Sequence, residues 1–323
     1  MKYRQLGSSG LVVSEVGLGC NNFGVRCDLE RTREVVDAAF DSGVNFFDTA
    51  DIYGGKGGSE SFLGDILGSR RDEIVLATNF GMDMGTGERT RGSRRYVRRA
   101  VEASLRRLKT DRIDLYQFHQ PDPLTPIEET ISTLGDLVRE GKVLYIGCSN
   151  FSGWQLAEAH AVAKSLGLPA FVSIQNRYSV MAREIEIEVL DAAERFGAGV
   201  LPYYPLESGL LTGKFRRGAK APEGTRLASR PAELDNANYD LLEALTRFAA
   251  EHDVELIDLA IRYLLSRPVV TSVIAGATSG AQLRRNVKTL DAPLASEAFD
   301  ELVTVLAPWS NLRDAARADM GSL

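Results

Sequence analysis

The chain has 323 residues, of which 44% are hydrophobic and 25% charged, an ordinary composition for a globular protein with a sizeable core. Its net charge is −6 and it has no long basic run, so no nucleic-acid partner is expected. The opening MKYRQLGSSG lacks an apolar signal core, and no apolar run is long enough to span a membrane, so we expect a cytoplasmic protein without a membrane partner. The cysteines, which lack C-x-x-C spacing, fit a reducing compartment and indicate no metal site: Cys20, Cys27 and Cys148.

The predicted elements begin with a β-hairpin in YRQLGSSGLVVSEV, placed to close the bottom of a barrel. Eight short apolar runs follow, separated by amphipathic stretches typical of helices. In chain order the predicted strands are EVGLG, VNFFD, IVLAT, IDLYQFH, VLYIGCS, FVSIQ, GVLPY and TSVIAG. The clearest helices between them are RTREVVDAAFDSG, SRRYVRRAVEASLRRLKT, PIEETISTLGDLVREGK and SGWQLAEAHAVAKSLGL.

Apolar strands that alternate with helices indicate a parallel sheet covered by helices. Eight such units in a chain of this length predict an α/β fold, a (β/α)8 TIM barrel, as one domain over residues 1–323. Residues 203–235 follow the seventh barrel strand and are too long and too rich in Gly and Pro for a simple connection, so we expect a functional loop there.

Polar residues stand at the ends of most predicted strands. A barrel enzyme builds its site from the carboxyl ends of its strands, so these residues should converge on one rim. Any one of them could equally be the start of a loop, but a carboxylate, a His, a Tyr and several carboxamides together favour a polar site. They are Asp48, Asn79, His119, Ser149, Asn150, Gln175, Asn176, Tyr203 and Tyr204, with Gly276 at the end of the last strand.

Four stretches at these strand ends, FFDTADIYG, IVLATNFG, YQFHQPD and IGCSNF, resemble the aldo-keto reductase superfamily. YYPLESGLLTGKF and VIAGATSGAQLRRN fit the same family, and the resemblance covers almost the whole chain in order. The pattern is most similar to the bacterial branch that includes the potassium-channel β subunits. The resemblance implies an oxidoreductase that reduces an aldehyde, ketone or keto-sugar by hydride transfer, usually from NADPH.

The resemblance also implies roles for single residues. Tyr53 matches the proton donor, and His119 matches the residue that orients the carbonyl or relays the proton. A phenol has a pKa near 10, so a donor Tyr needs neighbours that ease its ionisation. In the family a Lys does this, and the carboxylate that orients the Lys corresponds to Asp48.

For the cofactor, the resemblance places Ser149, Asn150 and Gln175 around the nicotinamide carboxamide and stacks Tyr203 on its ring. The chain has no G-x-G-x-x-G fingerprint, which argues against a Rossmann domain. The other expected contacts come from the long loop and the last helix: Pro205, Leu206, Lys214, Arg226, Gly276, Thr278, Gln282, Arg285 and Asn286. Arg226 or Arg285 could bind a 2′-phosphate, although each could also be an ordinary surface residue.

The substrate pocket is expected to have Phe23, Phe80 and Trp309 in its walls beside His119. These side chains suit a small molecule of mixed polarity and do not indicate which carbonyl compound is the substrate. The oligomeric state stays open.

The main departure from the family pattern is Asn79, which stands where ATKFG would place the Lys. Asn can donate a hydrogen bond to Asp48 but supplies no charge, so Tyr53 loses a neighbour that would lower its pKa. Three explanations are open: an engineered substitution, a natural enzyme with His119 as the main proton donor, or a cofactor-binding sensor with little turnover. We favour a reductase whose activity Asn79 weakens.

Overall fold

The computed structural model describes residues 1–292 and 294–309. It opens with an antiparallel hairpin of β1 (Tyr3–Gln5) and β2 (Val12–Ser14), in which Leu6 and Val13 are fully buried. The guanidinium of Arg4 donates to the backbone oxygens of Leu265 and Val270, just before the last strand. The predicted N-terminal hairpin is present and covers the amino-terminal ends of the strands.

Gly7 shows how closely the hairpin approaches the barrel. Its φ is +54°, and a Cβ on this residue would lie 2.3 Å from the backbone oxygen of Gly197 and 2.6 Å from the backbone nitrogen of Gly199. Only glycine fits both the left-handed conformation and this contact.

The eight strands that follow form one parallel sheet. They are β3 (Val16–Gly19), β4 (Phe46–Ala50), β5 (Val75–Phe80), β6 (Ile113–Phe118), β7 (Val143–Ser149), β8 (Ser173–Gln175), β9 (Gly199–Val200) and β10 (Val273–Gly276). Their order is β10-β3-β4-β5-β6-β7-β8-β9. The two edges meet, because Val200 forms a parallel bridge with Val270 and Ile274 N donates to Pro202 O over 3.0 Å. The predicted (β/α)8 barrel is confirmed.

Helices cover the outside of the barrel. They are α1 (Leu29–Asp41), α2 (Tyr53–Leu67), α3 (Arg94–Leu108), α4 (Ile127–Arg139), α5 (Gly153–Leu166), α6 (Val189–Phe196), α7 (Pro231–Asp235), α8 (Tyr239–Glu251), α9 (Leu256–Leu265), α10 (Gly280–Lys288) and α11 (Glu297–Leu306). Side chains cap several of them; Ser93 and Ser152, for example, accept from backbone N–H groups in the first turns of α3 and α5.

Several strands differ in length from their predictions. β5 continues through Asn79 to Phe80, so Asn79 lies inside a strand, paired with Ala50 on one side and Gln117 on the other. β9 is only two residues long; Pro202 has no backbone N–H with which to extend it. The single-domain assignment over residues 1–323 stays a prediction.

The long loop predicted over residues 203–235 contains α7 and short 3-10 turns at Glu207–Thr212 and Leu227–Ser229. It arches over the carboxyl end of the barrel and supplies much of the wall of the cavity there. Within the described residues, no helix is both long and apolar enough to cross a membrane.

Candidate active site

A cavity of about 990 Å³ opens at the carboxyl ends of the barrel strands. Most of the residues expected in the site line it: Asp48, Tyr53, His119, Asn150, Gln175, Tyr203, Pro205, Leu206, Lys214, Arg226, Gly276, Thr278, Gln282, Arg285 and Asn286. The barrel therefore brings together side chains that are up to 238 residues apart in sequence, from Asp48 to Asn286.

Asp48, near the end of β4, is the buried acid of this cavity, with 3% of its surface exposed. One oxygen, Oδ1, accepts three carboxamide N–H groups, from Gln175 at 2.9 Å, Asn79 at 3.0 Å and Gln117 at 3.3 Å. Burial raises the pKa of Asp48 to about 7, because these uncharged donors offset only part of the cost of burying a carboxylate. The carboxyl group is thus poised to titrate near neutral pH.

Asn79 is itself fully buried, and its Nδ2 also donates to the backbone oxygen of Thr49 over 2.7 Å. The carboxamide is therefore fixed beside Asp48 by two acceptors. It supplies hydrogen bonds and no charge.

Gln117 on β6 is a part of this network that the sequence did not reveal. It is fully buried, its Nε2 also lies 3.3 Å from Asn79 Oδ1, and its Oε1 accepts from Ser173 Oγ at 2.9 Å. Gly147 makes room for the pair, since a Cβ there would lie 2.1 Å from Ser173 Oγ. Its position two residues before His119, on the same face of the predicted strand, was the available signal for Gln117.

Tyr53 and His119 face each other at this end of the cavity, with ring centroids 6.0 Å apart and planes at 85°. Burial and the negative charge of Asp48 raise the pKa of Tyr53 above its usual value. Burial lowers the pKa of His119 to about 4, so its imidazole is neutral at pH 7. Its Nδ1 is buried and has no hydrogen-bond partner within the described residues, whereas other parts of the residue line the cavity.

Tyr53 is held by an unusual turn. Gly54, Gly55, Lys56 and Gly57 all have positive φ, from 68° to 113°, at the start of α2. A Cβ on Gly54 would lie 2.3 Å from Ser59 N and 2.7 Å from Phe23 O. The glycine-rich YGGKGG sequence is therefore needed to turn the chain sharply after Tyr53.

The three residues expected around a nicotinamide carboxamide are placed differently from one another. Ser149 is fully buried, does not line the cavity, and donates through Oγ to Gln175 O at 2.7 Å. Gln175 reaches the cavity but directs its Nε2 to Asp48. Asn150 is exposed. It donates to His119 O at 2.8 Å and accepts from Tyr203 Oη at 2.8 Å, so it links the backbone of His119 to the tyrosine that is expected to stack on the nicotinamide.

The basic residues expected at the far end all line the cavity. Arg226 donates to Asn22 Oδ1 at 3.0 Å and lies over the Tyr204 ring, with its Cζ 5.7 Å from the ring centroid. Lys214 is exposed, whereas Arg285 is ion-paired to acids of α9 and the residue before it. Asn22 and Arg26, which follow β3, were not expected in the site; Arg26 donates to Gly224 O at 2.6 Å and so joins the two walls.

The expected aromatic walls of the substrate pocket were wrong. Phe23 and Phe80 are fully buried and absent from the cavity lining; Phe80 stacks between Tyr116 and Phe118 because its side chain points away from the barrel axis into the helix layer. Trp309 lies after α11, where its backbone oxygen accepts from Arg183 at 3.2 Å, and it does not line the cavity. The walls near Tyr53 and His119 include Ile52, Met82 and Gln120 instead.

Within the described ranges, no cluster of three or more His, Cys, Asp or Glu residues is placed to hold a metal ion. All three cysteines are free and buried. The chemistry available at the site is therefore that of a phenol, a neutral imidazole, a buried carboxyl group and several carboxamides.

Comparison with known proteins places this geometry in a family. Residues 15–307 match the Aldo/keto reductase family. The chain is 41% identical to the "Uncharacterized oxidoreductase YrpG" of Bacillus subtilis, over 92% of this chain and 93% of that protein. It is 36% identical to a "Probable voltage-gated potassium channel subunit beta" of Arabidopsis thaliana, over 90% and 92%. It is 33% identical to the "L-glyceraldehyde 3-phosphate reductase" of Escherichia coli K12, over 90% and 88%. The chain belongs to the aldo/keto reductase family of oxidoreductases.

Proposed function

We propose that this protein is an NADPH-dependent reductase that converts a small aldehyde, ketone or keto-sugar into the corresponding alcohol. The observation that carries the proposal is one cavity with a Tyr53–His119 pair at one end and Lys214, Arg226 and Arg285 at the other. A proton-donating end joined to a basic end suits a reaction that pairs a carbonyl with a phosphorylated dinucleotide.

The residues of the cavity fit a dinucleotide. Its volume of about 990 Å³ has room for a ligand of that size. Lys214 and Arg226 would hold phosphate oxygens, and the N-terminus of α10 beside Gly276 and Thr278 offers a further anion site. The rings of Tyr53 and His119, which both line the cavity and lie 6.0 Å apart, mark the place where a carbonyl group would bind.

When bound, the reduced nicotinamide supplies the hydride. Tyr53 then gives its hydroxyl proton to the alkoxide oxygen that forms, and His119, being neutral, orients the carbonyl by a hydrogen bond. Asp48 is near enough to Tyr53 for its charge to raise the pKa of the phenol, and Asn79 is an uncharged hydrogen-bond partner of Asp48. Because Asn79 carries no charge and the Asp48 carboxylate disfavours tyrosinate, we expect proton transfer from Tyr53 to be slow.

The test is NADPH oxidation with a panel of aldehydes, ketones and keto-sugars, among them glyceraldehyde 3-phosphate, the substrate class named for the Escherichia coli relative. Tyr53→Phe should abolish the reaction and retain NADPH binding. Tyr239→Phe, at the start of α8 and outside the cavity, is the matched control and should keep full activity. Turnover that survives Tyr53→Phe would refute the assigned role.

A second candidate function is an NADPH-binding sensor with little turnover. It is favoured by the uncharged partners of Asp48 and by the likeness to the potassium-channel β subunits. Such a protein would bind NADPH, oxidise none of it with any carbonyl, and retain a partner protein in a pull-down. Tyr53-dependent NADPH oxidation would exclude this second candidate.

A further inference from the structure

Arg285 on α10 is held by two carboxylates at the far end of the cavity. Its Nη1 lies 2.8 Å from Asp258 Oδ1, and its Nη2 lies 3.2 Å from Glu255 Oε2. The two carboxylates neutralise the guanidinium and engage both of its terminal nitrogens, which weakens its attraction for a phosphate. Arg285 is therefore not the unpaired arginine that the sequence analysis considered as a partner for a 2′-phosphate.

The two carboxylates have different surroundings. The side chain of Asp258 is 11% exposed, and its Oδ2 accepts from the backbone nitrogen of Glu255 at 3.1 Å, which caps α9. The side chain of Glu255 is 74% exposed and lines the cavity. Asp258 thus holds Arg285 in place, whereas the carboxylate of Glu255 is exposed at the wall of the cavity.

The charge balance here is opposite to that of the loop above. Glu255, Asp258 and Arg285 together carry a formal charge of −1. The loop residues Lys214, Glu223 and Arg226 carry +1, and the adjoining Arg26 brings this wall to +2. Within the described residues, the only hydrogen bond from the Arg226 side chain goes to the uncharged Asn22. The cavity therefore offers a cationic wall for a diphosphate and an anionic corner at Glu255.

We propose that Glu255 is a specificity-determining residue that limits the preference of this site for NADPH over NADH. This inference rests on the proposed function, since it assumes that the adenosine end of a dinucleotide reaches α9 and α10. A carboxylate repels a 2′-phosphate, which carries nearly two negative charges, but accepts a hydrogen bond from a 2′-hydroxyl. Glu255 also engages Arg285, a cation of this corner that would otherwise attract the phosphate.

The test is Glu255→Gln, which keeps the shape of the side chain and removes its charge. The Kd of NADPH and of NADH is measured by fluorescence titration. We expect NADPH to bind about fivefold more tightly to the variant, the effect of removing one exposed charge, while NADH binds equally or more weakly. Competition with 2′,5′-ADP and with 5′-ADP should show the same change in ratio without involving the nicotinamide end. Glu251→Gln, at an exposed carboxylate on α8 outside the cavity, should change neither ratio.

Three results would overturn the inference in distinguishable ways. If both dinucleotides bind and Glu255→Gln leaves the NADPH to NADH ratio at the wild-type value, Glu255 does not set specificity, and the proposed function stands. If neither dinucleotide binds the wild-type protein, the proposed function fails and the inference fails with it. A gain that appears equally in Glu251→Gln would be a general charge effect and would also refute the assignment to Glu255.

Discussion

At the scale of single residues, Asn79 is the most informative position. A Lys there would place an ammonium beside Asp48, lower the pKa of Tyr53 and make the phenol a better acid near neutral pH. We expect Asn79→Lys to accelerate single-turnover hydride transfer on the order of 10²-fold with little change in cofactor affinity. Single-turnover measurement is needed because slow cofactor release can hide the chemical step in kcat.

Asn79→Met is the control, because it supplies a long unbranched side chain without the charge and should give no acceleration. The upper limb of the rate profile, where Tyr53 loses its proton, should move to lower pH in the Lys variant. If that variant is no faster at any pH from about 6 to 9, Tyr53 is not the principal acid.

The titration of Asp48 leads to a separate prediction about the pH dependence of hydride transfer. Its pKa is raised to about 7, and its negative charge raises the pKa of Tyr53. Tyr53 is therefore the stronger acid below pH 7, where Asp48 is protonated and neutral. We expect single-turnover hydride transfer in the wild-type protein to slow about threefold to tenfold as the pH rises through about 7.

Asp48→Asn removes the titrating group and should remove this limb of the profile, leaving a rate that is flat from pH 6 to about 8. The wild-type limb should also disappear in Asn79→Lys, because an ion pair would keep Asp48 charged across this range. A limb near pH 7 that persists in Asp48→Asn must come from another group, and the coupling of Asp48 to Tyr53 would then be rejected.

At the scale of elements, the left-handed turn at the start of α2 positions Tyr53. Gly54 and Gly55 have nearly the same φ, 68° and 74°, but only Gly54 lies against other backbone atoms. Gly55→Ala should cost only the strain of a left-handed Ala, about 1 kcal/mol of unfolding free energy. Gly54→Ala adds the clash with Ser59 and Phe23, so we expect a loss of about 3 kcal/mol and a displaced Tyr53.

Urea unfolding and Tyr53-dependent NADPH oxidation measure the two effects. Gly54 and Gly55 have nearly the same φ. The difference in stability and activity between the two variants therefore measures the effect of the contact of Gly54 with Ser59 and Phe23. Equal losses of stability and activity in the two variants would show that the turn is held by its conformation alone.

The same element shows the limits of the sequence. The barrel strands could be predicted because a strand buried on both faces is a short apolar run, and α3 and α4 have clear amphipathic spacing. Helix α2 has five glycines among its fifteen residues, four of them in the first six, and its start carries no helical signal. Tyr53 could be placed only through its resemblance to a family motif.

Side-chain direction was the other limit. Gln117 and Phe80 both lie near the ends of their strands, yet Gln117 points into the barrel toward Asp48 and Phe80 packs under the helices. Once Asn79 and His119 are placed in the site, alternation along the strands puts Phe80 on the opposite face and Gln117 on the same face as His119. The error over Phe80 and the failure to find Gln117 both came from considering only the strand ends and not this alternation.

At the scale of the whole molecule, the barrel contains several buried acidic side chains, and within the described residues only some of them form ion pairs. Glu60 is fully buried but paired to Arg107 at 2.6 Å. Asp51 is 2% exposed, its Oδ1 has no hydrogen-bond partner within the described residues, and burial together with the charge of Glu60 raises its pKa to about 7. Asp51 and Asp48 therefore both keep their protons up to a higher pH in the folded protein than in the unfolded chain.

The sign of the effect on stability follows by linkage. The pKa of an Asp in the unfolded chain is about 3.9, below the folded value, so the folded state binds more protons between these two limits. The stabilising contribution of protonated Asp51 is complete below about pH 4 and is lost as the pH rises to about 7. Three pH units give an upper bound of about 4 kcal/mol for one such group.

Asp51→Asn should therefore raise the midpoint of thermal or urea unfolding at pH 8 and change it little at pH 4.5, because a carboxamide resembles the protonated acid and does not ionise. Asp41→Asn, at the exposed end of α1, is the control and should leave the pH dependence of stability unchanged. If Asp51→Asn instead lowers stability at pH 8 as much as at pH 4.5, the buried carboxylate is charged and solvated in the folded state, and Asp48 alone would have to account for any fall in stability between pH 4 and 7.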